Sequence, residues 1–149
     1  MVAFVISPSY VDTSALAKWY LNEPRSDDFA AWIAGQRTAA ISRLTVVEFR
    51  CLLARRRRTR DITARMERRI VAAFDDDVRR GFVDVFPLDD RHAVAAMAIM
   101  ADLPRHPLRT LDALHLAIAR DTNAPAIATA DRVMAAAARS LGFDVVRFD

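Results

Sequence analysis

Four acids stand where an alternating β/α chain collects its functional side chains. Asp12 follows the apolar pair Tyr10-Val11, and Asp131 follows Ala126 to Thr129. Asp112 lies in the first turn of an apolar-periodic segment, and Glu48 about a turn into another. In an open α/β sheet, ligands bind beyond the carboxyl ends of the parallel strands. If these ends point the same way, four carboxylates meet at one edge. Ionised carboxylates that close repel and raise each other's pKa, and a divalent cation removes the conflict. Oxygen-only ligation with retained water suits Mg²⁺ or Mn²⁺, and the chain offers no His/Cys cluster for zinc. A cation so held can polarise a phosphodiester, generate hydroxide from water and stabilise the leaving oxygen. Taken singly, Asp12, Asp112 and Asp131 read equally well as helix-start acids favoured by capping and the macrodipole. Glu48 alone reads as a solvated helix residue.

The neighbours of these acids carry the same two readings. Thr13, Ser14 and Thr129 have hydroxyls able to orient a water or a phosphate, and they also suit ordinary cap and strand-end positions. His115 follows Asp112 by one turn, as a ligand or proton shuttle would, but its neighbours Leu114, Leu116 and Ala117 favour a packed histidine satisfied by a nearby group. The run Arg55, Arg56, Arg57 and Arg58, with Arg60, reads as a solvated face, a partner surface or an RNA contact.

The elements that must position these side chains alternate from end to end. Ser9 to Val11 reads as a buried strand, preceded by an extended segment from Ala3 to Ile6. Ser14 to Leu21 is helical, and Ser26 caps a second helix ending at Gly35. Ala39 to Ile41 is a short strand. A helix from Arg43 or Leu44 to Arg57 carries Val46, Phe49, Leu52 and Leu53, and Thr63 caps the next, with Met66, Ile70, Val71 and Phe74 on its apolar side. Phe82 to Leu88 is a strand. The helix begun by Asp89 or Asp90 packs through Val94, Met97, Ile99 and Leu103. Thr110 caps the helix from Leu111 to Arg120, whose stripe is Leu111, Leu114 and Ile118. Ala126 to Thr129 is a strand, Asp131 opens a helix to Leu141, and Val145 to Phe148 is the last strand. This alternation implies a parallel sheet covered by helices on both faces.

Composition sets bounds on class. A chain of 149 residues forms one domain that buries roughly two thirds of its unfolded surface. The longest apolar run, Ala93 to Ala101, falls far short of the ~20 residues of a membrane span. No membrane role is expected, nor a signal peptide at Met1 to Ile6. Cys51 is the single cysteine, so no intramolecular disulfide forms and a reducing cytoplasm suits the chain. The net charge of +3 hides an asymmetry: between Arg43 and Arg80 lie 12 arginines and 6 acids, and the remainder is acidic. Lys18 is the only lysine, so the positive charge is guanidinium, suited to forked contacts with phosphate or carboxylate.

The segments Tyr10-Val11-Asp12-Thr13-Ser14-Ala15-Leu16, Val47-Glu48-Phe49, Leu111-Asp112-Ala113-Leu114-His115-Leu116-Ala117, Thr129-Ala130-Asp131 and Leu141-Gly142-Phe143 resemble, in this order, the PIN-domain family. Within it they look most like the VapC-type toxins of bacterial toxin-antitoxin pairs. The resemblance implies a five-stranded parallel sheet and an endoribonuclease dependent on Mg²⁺ or Mn²⁺. It also implies homodimerisation and inhibition by a cognate VapB-type antitoxin. It assigns Asp12, Glu48, Asp112 and Asp131 to a catalytic metal-binding site, with Thr129 as a polar helper, in which metal-activated water attacks an RNA phosphodiester. Residues 1–8 stand as an extension before a core of about residues 9–149, where the family's first strand usually begins near the initiator methionine. A haloacid-dehalogenase-like phosphatase would need a second Asp two positions after Asp12, where Ser14 stands, and would have to draw its lysine from Lys18. A non-catalytic PIN-fold interaction or RNA-binding module is the other alternative. Such degenerate members tend to lose the acids, and here all four are present.

Overall fold

Strands that are apolar on both faces need helices on both sides, and the computed structural model, which describes residues 6–149, has that arrangement. The strands are β1 (Tyr10–Val11), β2 (Ala39–Ser42), β3 (Val83–Phe86), β4 (Ala126–Thr129) and β5 (Asp144–Arg147). All pairs are parallel, in the order β3-β2-β1-β4-β5. Among the described residues the helices are α1 (Thr13–Tyr20), α2 (Ser26–Ala34), α3 (Arg43–Arg58), α4 (Ala64–Arg79), α5 (Asp90–Asp102), α6 (Thr110–Asp121) and α7 (Arg132–Ser140). None is long and apolar enough to cross a membrane.

Successive strand residues face opposite sides of a sheet, and here that alternation divides the core. Tyr10, Ala40 and Ile127 meet Ile99 of α5, Leu116 of α6 and Met134 of α7 on one face. Val11, Ile41 and Ala128 meet Leu16 of α1, Phe29 of α2, Phe49 of α3 and Phe74 of α4 on the other. Each fully buried side chain of this size contributes about 1.5–3 kcal/mol. The chain builds outward from β1 to β3, then returns to lay β4 against β1. The order therefore reverses between β1 and β4, and a crevice forms at the carboxyl ends of strands flanking such a switch. Val11 pairs with Ala128, so Asp12 and Thr129 leave the sheet side by side.

Several local expectations are corrected. Ser26 does not cap α2: Arg25 takes that position in a left-handed conformation, at φ 69°. Ser26 Oγ instead accepts from the Glu23 amide and donates to the Leu21 carbonyl, closing the preceding turn. Gly35 has φ −85°, so its glycine-only freedom goes unused, whereas Gly142 at φ 89° needs that freedom where α7 turns toward β5. On α5 the buried residues are His92, Ala96 and Ile99, while Val94 and Met97 face solvent. Leu111 and Met66 are exposed too. The α6 cap is not the Thr110 hydroxyl; the Asp112 carboxylate reaches back to the Arg109 amide. Strand β3 is shorter than expected, and β5 begins one residue earlier, leaving Phe148 buried just past its end. The extended segment expected over residues 3–6 lies outside the described residues except for Ile6, which is exposed and irregular.

Candidate active site

Asp12 ends β1 and caps α1, and only 4% of it is exposed. Its Oδ1 accepts from the Ala15 amide (2.9 Å) and from Ser14 Oγ (2.7 Å), and its Oδ2 from Thr129 Oγ1 (2.5 Å). Burial pushes the Asp12 carboxyl above the ordinary aspartate range, against the opposing influence of His115, Thr129, Ala15 and Ser14. Ser14 Oγ and Thr129 Oγ1 also accept from the Ala130 and Asp131 amides. These two hydroxyls therefore tie the end of β4 to the end of β1. Asp131 caps α7 through Oδ1, which accepts from the Met134 amide at 3.0 Å. Asp12 and Asp131 thus each cap the helix that follows one of two neighbouring strands.

Glu48 is not the freely solvated residue that it looks alone. Its side chain is 24% exposed, and Oε1 accepts from Thr13 Oγ1 at 2.9 Å and from His115 Nε2 at 2.5 Å. The carboxylate has no proton to give, so Nε2 is the donor. Burial raises the Glu48 carboxyl, but the bonds from His115 and Thr13 and the field of Arg109 outweigh it, and the net shift is downward. The other His115 nitrogen, Nδ1, meets the Tyr10 hydroxyl at 2.7 Å, and that hydroxyl donates to Ser42 Oγ at 2.9 Å. A buried chain Ser42-Tyr10-His115-Glu48 thus runs from β2 to the site. Burial also pushes the Tyr10 phenol up, so it acts as a neutral hydrogen-bonding group. Replacing Tyr10 with Phe leaves Ser42 and His115 short of a partner in a fully enclosed place. Urea unfolding is expected to show a loss of about 1–3 kcal/mol, and an unchanged midpoint would refute that role for the hydroxyl.

Arg109 escaped the sequence reading, although an arginine three residues before a helix-start acid is a visible signal. Its Nε donates to Asp112 Oδ2 at 3.0 Å, and its Nη2 reaches Asp112 Oδ1 at 3.2 Å and Asp131 Oδ2 at 2.8 Å. Asp112 is 5% exposed. Among the described residues no three His, Cys, Asp or Glu side chains are gathered so as to hold one metal ion. The donor chemistry nevertheless fits a hard divalent cation: every candidate ligand is a carboxylate, one of them is buried with neutral hydrogen-bond donors, and a cationic side chain already bridges two others. His115 is satisfied by Tyr10 and Glu48, in agreement with the packed reading.

Beside these acids lies a groove of about 510 Å³ whose lining includes Thr13, Ser14, Glu48, Arg55, Arg56 and Arg109. Helix geometry puts Glu48, Cys51, Leu52 and Arg55 on one face of α3, all bordering the groove. The arginine run is divided by this geometry. Arg56 pairs with Glu23 at 2.6 Å and Arg57 with Glu67 at 3.1 Å, while Arg57 and Arg58 are not part of the lining. Lys18, only 8% exposed, donates to the Pro24 carbonyl at 2.8 Å.

No curated protein matches the chain. Among solved structures, it is similar to Mycobacterium tuberculosis VapC20, described as a sarcin-ricin loop cleaving toxin. The TM-score is 0.71 at 19% identity, covering 93% of this chain and 98% of that one. It is likewise similar to FitAcB from Neisseria gonorrhoeae (TM-score 0.68, 17% identity, 93% and 96% covered). A third is DNA-bound VapBC from Salmonella typhimurium (TM-score 0.64, 17% identity, 97% and 100% covered). At these identities the likeness concerns the fold. The PIN domain model matches residues 9–149, nearly the whole length, with the acids, the parallel sheet and the β1/β4 crevice all inside the match, and the chain belongs to the PIN domain family.

Proposed function

We propose that this protein is a VapC-like endoribonuclease toxin that uses Mg²⁺ or Mn²⁺, with Asp12, Glu48, Asp112 and Asp131 as its metal-binding catalytic set. The observation that carries this reading is the buried Asp12 carboxylate at the β1/β4 switch point, with Asp131 at the end of the neighbouring strand and Asp112 joined to Asp131 through Arg109. A divalent cation there supplies Lewis acidity and charge neutralisation for phosphodiester hydrolysis. The chain's own groups do the rest. Thr129 and Ser14 fix the Asp12 carboxylate by hydrogen bonds, and Thr13 and His115 fix Glu48. The groove beside them is open to a strand of nucleic acid, and Arg55 lies on it without a carboxylate partner among the described residues.

The similar toxin that cleaves the sarcin-ricin loop supports an RNA substrate, and the VapBC and FitAB structures support neutralisation by a VapB-type antitoxin. Homodimerisation and a cytoplasmic location belong to the same proposal.

Purified, antitoxin-free protein incubated with end-labelled total tRNA and rRNA fragments should give discrete cuts in Mn²⁺ or Mg²⁺ and none in EDTA. No cuts with any RNA, together with no calorimetric Mn²⁺ binding, would favour the non-catalytic interaction module instead. Arg55 is expected to contact phosphate, so Arg55→Gln should weaken RNA binding at all sequences alike and reduce the slope of log affinity against log salt by about 0.7. An unaltered slope in filter binding would remove Arg55 from the RNA path.

A further inference from the structure

Arg109 places a single nitrogen, Nη2, against both Asp112 Oδ1 and Asp131 Oδ2. Those two oxygens are the ones not committed to a helix terminus. Asp112 Oδ2 accepts the Arg109 amide at the start of α6, and Asp131 Oδ1 accepts the Met134 amide at the start of α7. Withdrawing one guanidinium therefore frees an oxygen on each acid while both caps stay made. The Arg109 side chain is 73% exposed, so it can leave without opening a hole in the core. It also borders the groove, where a displaced guanidinium would add to the positive lining.

We infer that Arg109 is a tethered cation occupying the place between Asp112 and Asp131 that a divalent metal must take, so that metal loading requires its displacement. This rests on the metal-dependent reading above. A site blocked by its own side chain binds with an affinity reduced by the fraction of time it is open. Because the guanidinium end of both ion pairs is 73% exposed, water takes up the hydrogen bonds it gives up on leaving, and the penalty is modest. The rival physical role is the opposite one, in which Arg109 holds the two carboxylates in place and helps the metal to bind.

Mn²⁺ calorimetry on the full chain separates the two. Arg109→Gln keeps the backbone cap of Asp112, and circular dichroism checks its fold. It is expected to bind Mn²⁺ roughly three- to tenfold more tightly than the unaltered protein. Equal or weaker binding overturns the inference and leaves the nuclease reading standing, whereas no Mn²⁺ heat from either protein overturns both. A second measurement needs no variant. In a Mg²⁺ titration of the unaltered protein, the Arg109 Nε–H signal in ¹⁵N NMR should lose its hydrogen-bonded shift and exchange faster with water. A signal that stays unmoved at saturating Mg²⁺ would show that the guanidinium is not displaced.

Discussion

Asp112→Asn is expected to lower RNA cleavage by about a thousandfold while the protein stays folded. Asp112 is almost fully buried, and its Oδ2 accepts the Arg109 amide. Asparagine offers a carbonyl oxygen to the same amide, and the two residues are close to equal as helix-start acceptors, so α6 keeps its beginning. The formal charge is lost from a water-poor site, where electrostatic groups commonly contribute factors of about 10²–10³ to rate. In the metal-binding role proposed for Asp112, loss of a ligand would add to that effect. Single-turnover cleavage of end-labelled RNA, paired with a thermal melt, measures both consequences. A rate within tenfold of the unaltered protein would take Asp112 out of the catalytic set.

Phe49→Ala should have the largest effect on stability, about 3–5 kcal/mol. Phe49 is fully buried on α3, with its ring centroid 5.5 Å from Tyr20 and 5.7 Å from Phe74. The three rings join α1, α3 and α4 on one face of the sheet, so removing the central one opens a cavity between all three helices. For a chain of about this length, each kcal/mol shifts Tm by about 2–4 °C, so a drop of about 10 °C is expected. Val47→Ala, two residues earlier in the chain but 61% exposed, should change stability by less than about 0.5 kcal/mol. Because Phe49 adjoins Glu48, cleavage should also fall at temperatures where the variant is still folded. If the two variants melt together, the aromatic cluster is not what secures α3.

Where local chemistry and sheet topology agree, the chain is readable in advance. An acid just after a buried strand is set by that strand, so Asp12 and Asp131 cap the helices that follow β1 and β4. Glu48 was harder, because what distinguishes it is a hydrogen bond to His115, 67 positions away. Arg109 shows the same difficulty in stronger form. Its pairing with Asp112 is local, but its reach to Asp131 exists only because β4 returns beside β1. Helix α5 fails for another reason: its many alanines make it apolar all round, so the stripe of Val94 and Met97 looks as good as the buried one through Ala96 and Ile99. Caps mislead when two candidates compete. Ser26 and Thr110 are good cap residues that lose to a turn bond and to a carboxylate.

The chemistry of the cut ends tests the central claim most directly. Hydrolysis by water at an acid-held cation leaves one linear phosphate end and one free hydroxyl end, and it does not use the ribose 2′-hydroxyl as nucleophile. End-group analysis of the products should therefore find no 2′,3′-cyclic phosphate, and a single 2′-deoxy substitution at the cut site should still be cleaved. Cyclic phosphate ends that persist in EDTA and in Asp112→Asn would contradict the account, because they would place the reaction outside the four carboxylates.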